Sequence, residues 1–393
     1  MLIGVVGKSN VGKSTFFKAM TLAEVEIANY PFATIKPNAG VGYIKIDCID
    51  KEFNKQCNPR EGYCLNHNRF VPVQLLDVAG LVPGAHTGLG LGLEFLNDLN
   101  QADALIHVID ISGSTNEKGE PIQALTHDPI QDVLFLEKEL DYWYYNVLKK
   151  GWDKFSRSLQ HTQESYRAIA KQVSGLRVTE NMVKEAIKGL PSNPTEWSEE
   201  NLLSIARKLR IESKPMIIAA NKIDVSGAEK NLERVKKEFS YYQIIPCSAE
   251  SELALKEAAK KNLIDYVPGE SSFKIKGQVN EAQENGLKLI KERILDKYGS
   301  TGVQEVLNHL VLNMLKYKAV YPGGVNNLVD SKGNVLPDCF LLSEKATALD
   351  FAFRLHSDFG NNFIKAIDVK TKKPIGKDHE LKHRDIIEIM TKK

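Results

Sequence analysis

The stretch LIGVVGKSNVGKSTFFKAMT, residues Leu2–Thr21, reads as a strand, a loop and a helix in succession. Leu2 to Val6 is an apolar run suited to a buried strand, and TFFKAMT can start a helix. Between them Gly7–Ser14, GKSNVGKS, fits G-x-x-x-x-G-K-[ST] at every position. The glycines let backbone N–H groups turn inward around a β-phosphate, at the positive end of the following helix. Ser9, Asn10, Val11, Gly12, Lys13, Ser14 and Thr15 are therefore expected to line a phosphate. Lys13 would reach the β- and γ-phosphates, and the Ser14 hydroxyl would ligate Mg2+.

Four further elements follow in order. In NYPFATIKPNAG, Asn29–Gly40, Thr34 is expected to close over Mg2+ when a γ-phosphate is present, with Thr21 of the first helix as its competitor. The apolar run VPVQLLD delivers Asp77 to a strand end, where it would hold Mg2+ through water while the Gly80 N–H addresses the γ-phosphate. KPMIIAANKID is a buried strand ending in Asn221-Lys222-Ile223-Asp224. The Asp224 carboxylate matches the N1–H and exocyclic amine of guanine, and adenine offers no such donor pair. The Lys222 stem would lie along the base, and the backbone of Ser248-Ala249-Glu250, in QIIPCSAE, would face guanine O6. Five elements in order, each at a strand end, predict a GTP-binding domain.

With GKSNVGKSTFFKAMT, NYPFATIKPNAGVG, DVAGLVPGAHTGLGLGLEFLNDLNQADALIHVID, NKID and PCSAE, the chain resembles the Obg-like GTPases, and within them the YchF-type branch. The resemblance covers nearly the whole length except a divergent helical stretch. It implies a fold of α/β class: a P-loop GTPase core, mostly a parallel doubly wound sheet, with an inserted helical arm and a C-terminal β-grasp (TGS, ubiquitin-like) domain. Many YchF-type members have Glu where this chain has Asp224, and the family implies that those prefer ATP; Asp224 implies GTP here. Many nucleotide switches place a water-orienting Gln after the Asp-x-x-Gly, where this chain has Leu81. In YchF-type proteins a His further along the same loop is proposed to orient water, and His86 occupies that position; it reads equally as a polar residue of a Gly-rich loop. By resemblance to related GTPases, Asn10 would help bind K+ beside the phosphates; as a loop Asn it would bond its own backbone.

The remaining chain sorts by pattern. Val133, Leu136, Leu140, Trp143 and Val147 form one helical stripe, and Phe155, Leu159, Tyr166, Ile169 and Val173 a second. WSEENLLSIARKL reads as a return helix capped by Ser198, so a hairpin of helices is expected. YWYYNVLKKGW is read as an aromatic seam between packed helices in preference to a nucleic-acid stacking surface. Cys57, Cys64 and His67, with Cys48 nearby, are spaced C-x6-C-x2-H, which matches no common zinc module; a hairpin extension with reduced thiols is favoured. ATALDFAFRLHSDFG reads as a single helix with Leu349, Ala352, Phe353 and His356 along one face, flanked by short strands. The expected organisation is 1–128 and 213–315 for the GTPase domain, 129–212 for the inserted helices and 316–393 for the TGS domain.

Composition sets the outer limits. Of 393 residues 42% are hydrophobic and 26% charged, with a net charge of +2, so no polyanion-binding signal comes from total charge. Residues 316–393 carry fourteen Lys and Arg against ten Asp and Glu, a mild basic bias compatible with RNA or simply with a solvated surface. The run ADALIHVIDI is far short of the ~20 residues of a membrane span. A buried strand beginning at Leu2 leaves no room for a leader, and five cysteines without framework spacing fit a reduced, cytoplasmic protein. The expected activity is slow Mg2+-dependent GTP hydrolysis by a switch acting on ribosome or RNA, without membrane or DNA. The alternatives are an ATPase like other YchF-type members and a nucleotide-bound scaffold with little turnover.

Overall fold

Apolar runs without alternation suit strands covered on both faces, and such runs supply the first of two units. The computed structural model describes residues 1–22, 38–78, 98–159 and 164–392. Thr34, Gly80, Leu81 and His86 lie outside the described residues. The described chain divides into a first unit drawn from 1–18, 38–40 and 74–250 and a second from 19–22, 41–73 and 251–392.

The strands up to the middle of the chain are β1 (Leu2–Val6), β2 (Ala39–Asp47), β3 (Tyr63–Leu65), β4 (Asn68–Asp77), β5 (Ala104–Asp110), β6 (Met216–Asn221) and β7 (Ile244–Pro246). In the first unit they run β4-β1-β5-β6-β7, every pair parallel. Parallel strands end on the same edge. The register places Val5 beside Asp77 and Asp110 beside Asn221, so the functional strand ends face one crevice.

Helix α1 (Lys13–Thr21) follows the phosphate loop. The expected helical hairpin is formed by two long helices, α2 (Ile130–Lys149) and α6 (Glu199–Ser213). Three short ones lie between them: α3 (Trp152–Leu159), α4 (Ser165–Gln172) and α5 (Glu180–Ala186). The second predicted stripe thus falls on two helices, α3 and α4. Leu136 and Leu140 of α2 and Leu202, Ile205 and Leu209 of α6 share one apolar cluster with Val6, Leu76 and Leu105 of the sheet. The inserted helices are therefore rooted in the core of the sheet. The aromatic seam is present: Trp152 stacks on Trp197 at 5.5 Å, and the buried Tyr144 bonds Ser213 at 2.7 Å. Ser198 caps α6, accepting from the Asn201 N–H at 3.2 Å, as a Ser before a helical run should.

In the second unit, β3 and β4 form an antiparallel hairpin with Leu65 opposite Asn68. Its two loop residues, Asn66 and His67, have φ of 48° and 60°, the left-handed pair that a two-residue hairpin turn requires. After α7 (Ala228–Glu238) of the first unit, α8 (Ala249–Lys260) leads to the hairpin β8 (Ile264–Tyr266) and β9 (Phe273–Ile275). Helices α9 (Glu281–Ile290) and α10 (Val303–Asn308) follow. The C-terminal sheet has β10 (Lys318–Pro322), β11 (Phe340–Leu342), β12 (Phe363–Asp368), β13 (Lys373–Ile375) and β14 (Asp385–Thr391) in the order β11-β10-β14-β12-β13. Strand β10 pairs parallel with β14, and α11 (Ala348–Leu355) lies across the sheet through Ala348 and Phe351. This is the β-grasp arrangement.

One expectation here is corrected. ATALDFAFRLHSDFG is two helices, because His356 is extended and caps a second short helix, Ser357–Asn361. The buried face is Ala348, Phe351 and Ala352, while Phe353 is 47% exposed and His356 is also outside. The capping box of Thr347 with Asp350 fixes where the helix starts, and that start sets the phase of the buried stripe.

Candidate nucleotide-binding site

The phosphate loop leaves β1 at Gly7, where a Cβ would stand 2.5 Å from the Val108 carbonyl oxygen. The loop returns to α1 through Gly12, at φ +89°, where a Cβ would stand 2.3 Å from the Asn221 amide nitrogen. Both glycines are thus required by backbone approach. Asn221, buried at the end of β6, donates to the Val11 carbonyl at 2.9 Å and accepts from the Ala249 N–H at 3.0 Å. One amide side chain therefore ties the phosphate loop to the loop after β7. That bond also uses one of the three N–H groups read as facing guanine O6.

Lys222, at φ +64°, donates to the Asn10 carbonyl at 3.0 Å, to Asp110 at 2.8 Å and to Ser114 Oγ at 3.1 Å. Its ammonium closes the floor of the site, and its stem is left to face a base. Burial works against the charge on Asp110, but hydrogen bonds from Lys222, Ser112 and Ser114 hold its carboxyl below the ordinary carboxylate range. Asp110 is a site residue that the sequence reading passed over. The cue was the one used for Asp77, an apolar run ending in Asp, followed here by the hydroxyl-rich Ser112, Ser114 and Thr115.

Lys13 pairs with the Asp77 carboxylate. Asp77 also exchanges backbone contacts with Asn38, whose amide reaches Asp98 at 3.2 Å. Asn10, at φ 62°, donates its amide to the Gly119 carbonyl at 2.8 Å, so the loop is held from both sides. Lys8, Ser9, Asn10, Gly12, Lys13, Ser14, Thr15 and Lys222 line a cleft of about 580 Å3. Lys8, however, turns its ammonium away from solvent, to Asp132 at 2.8 Å and the Thr115 carbonyl at 3.0 Å. A cavity of about 600 Å3 in the second unit, lined among others by Lys45, Asn308 and His383, has no such cradle.

Asp224 follows β6, half-buried. Its carboxylate has no protein hydrogen-bond partner among the described residues. Ser248 and Ala249 are buried, and Glu250 is exposed in the first turn of α8. The site therefore brings together Ser9 to Thr15, Asp77, Asn221, Lys222, Asp224 and the loop after β7.

Known proteins resemble this chain over its whole length. The chain is 49% identical over 391 residues to a GTP-binding protein of Methanocaldococcus jannaschii, with 99% of each chain covered. Profiles match for the G4 motif-containing domain of YGR210-like Obg-like GTPases over residues 219–325 and for the TGS domain over 331–391. A third profile, described as a 50S ribosome-binding GTPase, matches residues 2–138. The chain belongs to the Obg-like GTPases of the YchF type. A crystal structure of a GTP-binding protein from Pyrococcus horikoshii OT3 superposes over 100% of both chains with a TM-score of 0.77 at 41% identity. The ribosome-binding ATPase YchF of Bacillus subtilis is 29% identical over 385 residues, covering 92% of this chain and 87% of that one. No helix among the described residues is long and apolar enough to cross a membrane.

Proposed function

We propose that this protein binds GTP in preference to ATP and hydrolyses it with Mg2+, acting as a nucleotide-controlled switch on the ribosome or on RNA. One observation carries the base preference. Within Asn221-Lys222-Ile223-Asp224 the first two side chains are committed to protein contacts, whereas the Asp224 carboxylate has no hydrogen-bond partner among the described residues and is available to a ligand. A carboxylate accepts two hydrogen bonds from guanine and finds no matching pair on adenine.

Ser14 Oγ at the head of α1 and the Asp77 carboxylate beside Lys13 are hard oxygen donors, the set that Mg2+ takes. Bound by these residues, Mg2+ would neutralise charge on the β- and γ-phosphates. Thr34 supplies a further oxygen in this reading, Gly80 the N–H to the γ-phosphate, and His86 orients the attacking water. Asn10 provides the place for a potassium ion. Lys13 moves from Asp77 to the phosphates. With Leu81 in place of Gln and no evident arginine finger, unaided turnover is slow. The ribosomal partner is supported by the resemblance to ribosome-binding relatives and by the basic bias of residues 316–393.

Competitive binding of GTP and ATP tests the base preference. Wild type should favour GTP, and Asp224→Asn should lose about 10- to 150-fold of that preference, since a hydrogen bond to a charged group contributes ~1.5–3 kcal/mol. Equal affinities in the wild type would remove the guanine reading. Single-turnover hydrolysis by wild type and His86→Ala, with and without K+ and ribosomes, tests the enzyme. No hydrolysis under any of these conditions would leave a nucleotide-bound scaffold.

A further inference from the structure

The second unit contains a cluster of side chains that the nucleotide site does not use. Cys48 directly follows β2, Cys57 lies further along the same connection, and Cys64 sits on β3. The fold gathers what the linear spacing keeps apart. The Sγ atoms of Cys48 and Cys57 are 3.4 Å apart, and Cys64 Sγ is 4.0 Å from Asp50 Oδ2. The donor atoms of Cys48, Asp50, Cys57 and Cys64 all lie within 4.8 Å of one another. Tetrahedral zinc holds sulfur at ~2.3 Å and carboxylate oxygen at ~2.0–2.2 Å, so its ligands stand about 3.4–3.8 Å apart. The widest separation therefore has to close by about 1 Å to meet that geometry.

The surroundings fit an anionic metal centre. Cys48 and Asp50 are fully buried, and Cys57 is nearly so. His67 Nδ1 lies 3.0 Å from Asp50 Oδ1, and the Cys57 N–H donates to Asp50 Oδ2 at 3.0 Å. Asp50 is therefore oriented before any ion arrives, as carboxylate ligands are in metal sites. Arg69, 1% exposed, donates to the Leu336 and Pro337 carbonyls at 2.9 Å each. Its Nε has no hydrogen-bond partner among the described residues, and its guanidinium interacts with the Cys57 thiol. A buried cation whose carbonyl partners are neutral is favoured by negative charge nearby, and metal-bound thiolates would supply it.

We propose that Cys48, Cys57, Cys64 and Asp50 hold a structural zinc ion, with His67 fixing Asp50 from outside. Binding releases the three thiol protons and forms three Zn–S bonds and one Zn–O bond. The site is closed, with four protein ligands and no position for water, so it is structural and not catalytic. Its place in the second unit says what it holds. Just beyond Cys57, the Asn58 and Arg60 N–H groups donate to the Val335 and Pro337 carbonyls at 2.9 and 3.0 Å. The ion pins the loop that carries these contacts onto the β-grasp module. The spacing matches no common module because the ligands are collected from a strand end, a loop and a hairpin.

The test begins with zinc content of the full chain, purified without chelator and after incubation with one equivalent of Zn2+ and desalting. About one ion per chain is expected, and less than a tenth would overturn the proposal. So would a Cys48–Cys57 disulfide in the freshly purified protein. Alkylation mapped by mass spectrometry on the wild type needs no variant to fold: Cys48, Cys57 and Cys64 should resist until a chelator is added. Equal labelling with and without chelator counts against the site. Co2+ in place of Zn2+ should give thiolate charge-transfer absorption that weakens in Cys64→Ser and persists in Cys339→Ser. His67→Ala should lower zinc affinity about 10- to 100-fold, the usual effect of losing an outer partner; unchanged affinity removes His67 from the assignment.

Discussion

Two lysines of one loop, Lys8 and Lys13, each face an aspartate, and the two pairs do opposite things. Lys8 and Asp132 have side chains only 5% and 6% exposed, against 12% and 25% for Lys13 and Asp77. The Lys8 ammonium is further satisfied by the Thr115 carbonyl, and Asp132 by His127 Nε2 at 2.8 Å. Lys8 thus fastens the underside of the phosphate loop to α2, and Lys13 stands at the mouth of the cleft with a partner it can leave. The chemistry of the pairs is the same. Burial makes one structural and leaves the other free to meet a ligand, because exchanging partners costs little at a wet surface and much in a dry one.

The sharpest way to break this contrast is Lys8→Met. It strands Asp132, whose carboxyl burial already pushes above the ordinary value against the pull of Lys8 and His127. Removing one member of a buried pair costs ~3–5 kcal/mol, so urea unfolding at neutral pH should show a loss of that order. The remaining folded protein should bind nucleotide with little change. A stability loss under ~1 kcal/mol would mean that Lys8 is no fastener.

Lys13→Ala should do the reverse. A charge-assisted hydrogen bond to phosphate contributes ~1.5–3 kcal/mol, and Lys13 is read as making two. GTP affinity measured by titration should fall at least about 100-fold, since two such bonds exceed 2.7 kcal/mol. The melting temperature of the nucleotide-free protein should hold nearly constant, because Asp77 is left facing solvent. If stability falls as far as in Lys8→Met, the two pairs are not different in kind.

These lysines also mark where the sequence is legible. The order and strand-end position of Lys13, Asp77, Asn221 and Asp224 follow from apolar runs and fixed spacings, because a phosphate loop must turn within a few residues. The pairing of Lys8 with Asp132, 124 positions away, follows from no spacing at all. It depends on how α2 packs on the sheet. Asp110 carried a readable cue, an Asp closing an apolar run, yet its partners Ser112, Ser114 and Thr115 form a local turn that periodicity does not register. The face of α11 was misjudged because amphipathic phase depends on where the helix starts, and Thr347 with Asp350 starts it at Ala348. The sequence already grouped Cys57, Cys64 and His67 with Cys48, but Asp50 escaped it for the same reason as Asp132: linear spacing says nothing about a hairpin folding back on a strand end.

The smallest effect sharpens the comparison from below the loop. His107 pairs in register with Val6 on β1, is 2% exposed, and has an Nδ1 without a hydrogen-bond partner among the described residues. Burial, aided by the Lys8 charge, pushes its imidazole down to about 3. Folding therefore demands the neutral ring. The unfolded chain takes up a proton near pH 6.5, so the unfolded state binds more protons between about pH 3 and 6.5 and stability falls as pH falls through that window. The slope is ~1.4 kcal/mol per pH unit, and the loss at pH 5.5 is about 1.4 kcal/mol. His107→Leu should unfold with a correspondingly flatter dependence between pH 7 and 5.5. Asp132, raised by burial, contributes with the opposite sign where it titrates, and the difference between wild type and variant isolates the imidazole. In a Lys8→Met background the His107 pKa should rise, because one of its two depressing causes is gone, and the acid end of the window should shorten. An identical window in both backgrounds would show that the Lys8 charge, for all its burial, does not reach the ring beside it.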